Sequence, residues 1–217
     1  TMNWTEPHAG SDLSDLKTKA QIKEGKYLIR GTKIYITHGD QDMSENIIHM
    51  VLAKLPDAPQ GNKGISLFLV PKYYDDKKGN KIKNDIKVVS VEHKLGHTAS
   101  PTCVLSFGEN NECLGELIGE PHNGLKAMFT MMNNARLNVG IQGVAIAERA
   151  YQKALSFARD RKQGFSFKKG QKERVNIIEH PDVKRMLLEM KSQIEAMRGL
   201  TVFTAETIDY SSQLSDI

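Results

Sequence analysis

The spacing of apolar side chains changes once along the chain, and that change predicts two kinds of architecture. From Lys17 to about Leu117 the apolar residues come in short runs that alternate with polar ones, the pattern of half-buried strands. Ala20 and Ile22, then Tyr27 and Ile29, flank Glu24-Gly25-Lys26, a hairpin signal. Further runs follow at "KIYIT" (Lys33 to Thr37), "IIHMVLAKL" (Ile47 to Leu55), "GISLFLVPK" (Gly64 to Lys72), "IKVVSVEHKL" (Ile86 to Leu95) and "TCVLSF" (Thr102 to Phe107). Short strands separated by Gly, Pro, Asn and Asp clusters predict an antiparallel β domain, a barrel or sandwich, over residues 1–118.

Past Pro121 the period becomes helical. Leu125, Met128, Phe129, Met132, Leu137, Ile141, Val144, Ala147, Tyr151, Leu155 and Ala158 recur at about 3.6 residues, and no proline interrupts them. The methionines among them read as core packing, the usual use of a Met stripe at helical spacing. A second pattern opens at Pro181, a residue suited to a first helical turn, and runs through Val183, Met186, Leu187, Met190, Ile194, Met197 and Leu200. Two amphipathic helices joined by a basic loop cannot bury their stripes alone, so residues 119–217 read as a helical bundle completed by further chain or by a partner subunit. The fold class expected is α+β, a β domain followed by the long helices of a truncated bundle.

Composition narrows the picture without redirecting it. Among 217 residues, 39% are hydrophobic and 26% charged, the balance of a soluble globular protein long enough to bury a core. No stretch approaches a membrane span and the first residues lack a signal-peptide pattern, so a cytosolic location is expected. Cys103 and Cys113 lack metal-ligand spacing and read as reduced packing residues. No metal site is expected. The net charge of +4 is modest, but Lys and Arg crowd between Arg159 and Arg174, which fits either a solvated loop or a phosphate-bearing partner. The start at Thr1-Met2-Asn3, directly before the densest motif, and the end at Asp216-Ile217 suggest a fragment of a longer protein.

Two segments carry candidate chemistry. In "TEPHAGSD" (Thr5 to Asp12), Gly10 permits backbone geometry that lets successive N–H groups converge on an anion, and Thr5 and Ser11 add hydroxyls. A polar turn capping the next element accounts for the same residues. In "GTKIYIT", strand alternation puts Tyr35 and Thr37 on one face and Ile34 and Ile36 on the other, so that a ring and a hydroxyl could line a flat cofactor or simply face solvent.

Together these segments resemble the acyl-CoA dehydrogenase family, over essentially the whole chain. "MNWTEPHAGSD" looks like the family's flavin-contacting signature and "KIYITHG" like its second flavin segment. "MMNNARLNVGIQGVAIAERAYQKALSFARDRKQ" resembles its first long C-terminal helix, and "KGISLFLVPK" and "HKLGHTASPTCVLSF" resemble middle-domain strands. The wording is closest to a subgroup of larger bacterial members.

The resemblance implies a flavoenzyme of fatty-acid β-oxidation. In such enzymes a glutamate removes the α proton of an acyl-CoA thioester while the β hydride moves to FAD, giving the trans-2-enoyl-CoA. By match, FAD is contacted by Trp4, Thr5, Gly10 and Ser11 in the first segment and by Tyr35, Ile36 and Thr37 in the second. Thr5 and Thr37 would hydrogen-bond the isoalloxazine edge and Tyr35 would pack near the ring. Ser11 also matches a position beside the acyl-CoA, as do Asn133 and Arg136 on the long helix, although the family often has an acid where Asn133 stands. Arg161, Lys162 and Gln163 match a segment that reaches the FAD of a neighbouring subunit, which implies a homo-oligomer. An electron-transfer flavoprotein is the implied acceptor.

The base is absent by the same match: in most of the family the glutamate lies further toward the C-terminus than Ile217, and one branch carries it on the long helix, where this chain has Ala135. Glu6 looks structural, with no partner in the sequence to tune it, and Glu92, His93 and His180 are isolated. These residues alone are therefore not expected to catalyse the reaction. Two rival readings are an acyl-CoA oxidase and a flavin-containing nucleic-acid-binding relative, the latter suggested by a pI near 8.9. Acidic Glu179 and Asp182 follow the basic cluster and argue against nucleic acid.

Overall fold

The Glu24-Gly25 turn illustrates how the first half of the chain organises. Both residues adopt positive φ, 53° and 76°, the twist that joins two strands by a two-residue loop. It links β2 (Lys19–Lys23) to β3 (Lys26–Thr37), paired from Lys23↔Lys26 to Lys19↔Arg30. The computed structural model describes residues 1–76, 78–166, 170 and 173–214. They fall into two compact units, Thr1–Thr130 and Met131–Ile217.

In the first unit β1 (Met2–Asn3), β2, β3, β4 (Ile48–Lys54), β5 (Ile65–Pro71), β8 (Ile86–Val91), β9 (Thr102–Phe107) and β10 (Leu114–Ile118) share one sheet, while β6 (Tyr73–Asp75) and β7 (Lys81–Lys83) form a separate hairpin. The marked runs are all strands. The pattern did not separate out β1, β6, β7 and β10, which are short or interrupted by Gly115, and it split β3, which runs unbroken through "KYLIRGTKIYIT".

The sheet is mixed, not purely antiparallel: β1 runs parallel to β4, and so does β2 through Lys19↔Lys54. That last bridge closes a ring, because β4 pairs β5, β5 pairs β10, β10 pairs β3 and β3 pairs β2. From β3 the sheet continues to β9 and β8. Inside it Ile29, Ile36, Val51, Phe68, Leu105 and Phe107 form the core, with Cys103 and Cys113 reduced among them. Burial pushes the Cys113 thiol up to about 12, so it packs as a neutral group.

The helix α1 (Gly124–Asp160) begins within this unit. A Cβ on Gly124 would lie 2.4 Å from the Ser66 carbonyl carbon, so only glycine lets the first turn approach β5 this closely, and Met128 is buried one turn later. In the second unit the predicted basic loop instead holds a hairpin, β11 (Lys162–Phe165) with β12 (Arg174–Asn176). Residues 167–169 and 171–172 of the basic cluster lie outside the described residues. The helix α2 (Pro181–Leu214) starts at the expected proline, with Asp182 in its first turn where a carboxylate complements the helix dipole. Arg198 on α2 reaches Glu148 on α1 at 2.9 Å.

Candidate functional site

Glu6 shows what the first polar motif does. Its carboxylate is buried and accepts the Lys17 amide at 2.8 Å, the Thr18 amide at 3.0 Å and the Thr18 hydroxyl at 2.5 Å. Lys33, from β3, donates to the same carboxylate at 2.9 Å and to the Trp4 carbonyl at 3.2 Å. The Lys33 side chain is 0% exposed. Sequence reading left Glu6 without a partner, and Lys33 is the residue it missed. Alternation could have flagged it, since Ile29 and Lys33 share the inward parity of β3. Burial alone pushes the Glu6 carboxyl up, but Lys33 and the Thr18 and Lys17 hydrogen bonds outweigh it and hold the group below the usual carboxylate range. Burial also pushes Lys33 down to about 8 against the opposing pull of Glu6, leaving an ammonium at neutral pH.

This node fixes the loop over the strand. Glu6 and Ala9 pair with each other, the Glu6 amide donating to Ala9 at 2.8 Å and the Ala9 amide to Glu6 at 3.1 Å. The Ile34 amide donates to the Thr5 carbonyl at 2.9 Å. The first signature and β3 are therefore in direct contact, which brings Trp4 and Thr5 beside the segment of Tyr35, Ile36 and Thr37. Gly10 does not use positive φ as expected, and a Cβ there would make a tight contact, 3.3 Å from the Thr5 methyl. Gly10 and Ser11 are exposed. Among the described residues no hydrogen bond engages the hydroxyl of Thr5, Ser11 or Thr37.

The second segment departs from simple alternation. Between Lys33↔Leu105 and Ile36↔Cys103 the register slips by one residue, and Tyr35 sits in this bulge with φ 59°. The bulge turns both Lys33 and Ile36 inward, whereas alternation would put them on opposite faces, and leaves Ile34 only half-buried. Tyr35 (62% exposed) and Thr37 do stay together on the outer side. A left-handed tyrosine carries strain of about 1–2 kcal/mol, and such outliers concentrate at functional sites.

The remaining candidates belong to the second unit. Asn133 and Arg136 are exposed one turn apart on α1, with the Arg136 guanidinium donating to the Asn133 side-chain oxygen at 3.3 Å. Arg161, Lys162 and Gln163 lie exposed where α1 passes into β11, and Arg161 donates to the Gln163 side chain at 3.2 Å. The His180 ring bonds the Gln163 carbonyl at 2.7 Å and Gly164 turns beside it with φ 74°, so the hairpin is held against the start of α2. Among the described residues no cluster of His, Cys, Asp or Glu could hold a metal, and no helix is long and apolar enough to cross a membrane.

Residues 1–109 match the profile of the acyl-CoA dehydrogenase middle domain and residues 122–213 that of the acyl-CoA dehydrogenase C-terminal domain. Over 211 residues the chain is 51% identical to 3-methylmercaptopropionyl-CoA dehydrogenase of Ruegeria pomeroyi, covering 96% of this chain and 35% of that protein. It is 42% identical to a butyryl-CoA dehydrogenase of Syntrophomonas wolfei, covering 100% of this chain and 37% of the relative. It therefore spans little more than a third of the length of these curated relatives. Among solved structures, butyryl-CoA dehydrogenase of Megasphaera elsdenii aligns with a TM-score of 0.71 at 28% identity, over 93% of this chain and 47% of that one.

Proposed function

Since the chain belongs to the acyl-CoA dehydrogenase family, we propose that the protein carrying it is an FAD-dependent oxidoreductase that converts acyl-CoA thioesters to trans-2-enoyl-CoA. The observation that carries this reading is the clamp between the two polar segments, through the Ile34 amide, the Thr5 carbonyl and the Lys33–Glu6 pair. It brings Trp4 and Thr5 beside the segment that carries the outward Tyr35 and Thr37, which supports a site for the polar edge and flat face of a flavin.

Bound flavin would supply a two-electron acceptor for hydride. The chain's part is to hold it. Thr5 and Thr37 would donate to its polar edge, with Trp4, Ile36 and Tyr35 shaping the ring contact and Gly10 leaving room for close approach. Fixed donors at that edge favour the electron-rich reduced form, because they need no reorganisation when charge arrives. Ser11, Asn133 and Arg136 are assigned to the acyl-CoA. Arg161, Lys162 and Gln163, at the start of the β11 hairpin, are assigned to the cofactor phosphates of a neighbouring subunit, which makes the working protein at least a dimer. Residues 1–118 then serve as the flavin-contacting domain and 119–217 as the start of the helical one. The proton-abstracting base is assigned to none of these residues: position 135 is alanine and Glu6 is committed to Lys33. An electron-transfer flavoprotein is the proposed acceptor.

The test is the anaerobic visible spectrum of the full-length protein with FAD, before and after saturated acyl-CoAs that include butyryl-CoA and 3-methylmercaptopropionyl-CoA. Bleaching of the oxidised band by one of them is the expected result. A bound flavin that no acyl-CoA reduces would overturn the dehydrogenase reading.

A further inference from the structure

Burying an ammonium and a carboxylate together is a poor way to gain stability, because desolvation offsets most of their attraction. Lys33 and Glu6 are nonetheless both buried, and their contacts converge on one short stretch of backbone. Lys33 holds the Trp4 carbonyl at 3.2 Å, Ile34 holds the Thr5 carbonyl at 2.9 Å, and the Glu6 side chain is gripped by Lys33, Thr18 and Lys17. Three consecutive residues are thus fixed from beneath.

The orientation of the Trp4–Thr5 peptide follows. No cis peptide bond occurs in the described chain, so the Thr5 N–H points opposite to the Trp4 carbonyl. The carbonyl faces the buried ammonium; the N–H therefore faces away from it. Among the described residues nothing accepts that N–H. A cation on a peptide oxygen withdraws electron density from the amide and strengthens its N–H as a donor.

We propose that Lys33 is a positioning residue for the flavin: through the Trp4 carbonyl it aims and polarises the Thr5 N–H as a main-chain donor to the cofactor's polar edge, and Glu6 holds Lys33 in place. The proposal rests on the flavin reading above. It assigns to a buried strand lysine, which never touches the cofactor, a share in setting cofactor affinity and redox poise.

The experiment uses the full-length protein in parallel with a neutral double variant, Lys33→Met with Glu6→Gln, which removes both charges together. FAD affinity and the midpoint potential of the bound flavin are read for each, with thermal melting as the check on folding. The expected result is FAD binding weakened by about ten-fold or more and a more negative potential. A folded double variant with affinity within about two-fold of the parent and an unchanged potential would overturn the proposal while leaving the flavin reading intact. A parent protein that binds no FAD would overturn both. Hydrogen exchange at the Thr5 amide of the unaltered protein gives a readout independent of any variant. Protection on adding FAD supports the aimed donor, and unchanged exchange sinks it.

Discussion

At the scale of single residues, the Lys33–Glu6 pair and His49 set the response of the β unit to mutation and to pH. Replacing Glu6 by alanine leaves a buried ammonium with only a carbonyl for company and strips the Lys17 and Thr18 donors of their acceptor. The expected loss is about 3–5 kcal/mol, read as a lower urea midpoint. His49 is buried with its ring edge against Phe107 at 5.8 Å, and burial pushes its pKa down from 6.5 to about 4. Between those values the unfolded chain binds a proton that the folded chain refuses. The His49 part of the stability is therefore complete above pH 6.5 and is lost as pH drops toward 4, by about 3 kcal/mol at full extent. Glu6, whose carboxyl is held below 4.5, extends the loss to lower pH with the same sign. Urea midpoints measured across this window should show the slope, and His49→Gln should flatten its upper part. Of these residues only Glu6 stood out in the sequence. A lysine in a strand reads as surface, and nothing local announces that a carboxylate far back in the chain will neutralise it.

At the scale of elements, the bulge in β3 separates geometry from chemistry. Asparagine tolerates left-handed backbone where most side chains resist it. Tyr35→Asn should therefore keep stability within about 0.5 kcal/mol while weakening FAD binding, a combination checked by melting and flavin titration on one sample. Glycines at turns differ in a predictable order. Gly25 has φ 76° and open space around it, so Gly25→Ala should cost about 1 kcal/mol of backbone strain. Gly108, with φ 73°, adds a collision, since a Cβ there would lie 2.2 Å from the Ile29 carbonyl oxygen. Gly108→Ala should shift the denaturation midpoint further. Element type was legible in the sequence wherever an apolar period ran long enough, as in β4, β5, β9 and both helices. The bulge was not, because it arises from the pairing of β3 with β9.

At the scale of the whole molecule, the helices of the second unit bury part of the stripes that their period announced, at Ala158, Leu187 and Ile194, and leave further apolar residues exposed, mostly off those stripes. On α1, Val139, Ile146 and Phe157 are exposed at helical spacing, and on α2 so are Leu200, Phe203 and Leu214. Apolar faces of this length bind dyes and each other. The 217-residue chain on its own should enhance the fluorescence of an apolar dye and sediment as concentration-dependent associations; a monodisperse monomer without dye binding would contradict this.

What the sequence by itself determined is whatever depends on periodicity and local backbone chemistry. That includes the change from strands to helices, the Glu24-Gly25 hairpin, the start of α2 at Pro181 and the two polar segments whose wording marks the family. These follow from neighbours a few residues apart. Only the tertiary structure decided that the two segments meet, that Lys33 finds Glu6 as its partner, that the sheet closes through Lys19 and Lys54, and that the basic stretch begins and ends in a paired hairpin. Each of those depends on hydrogen bonds and charges brought together from distant positions, where the energy belongs to the pairing and to neither residue alone.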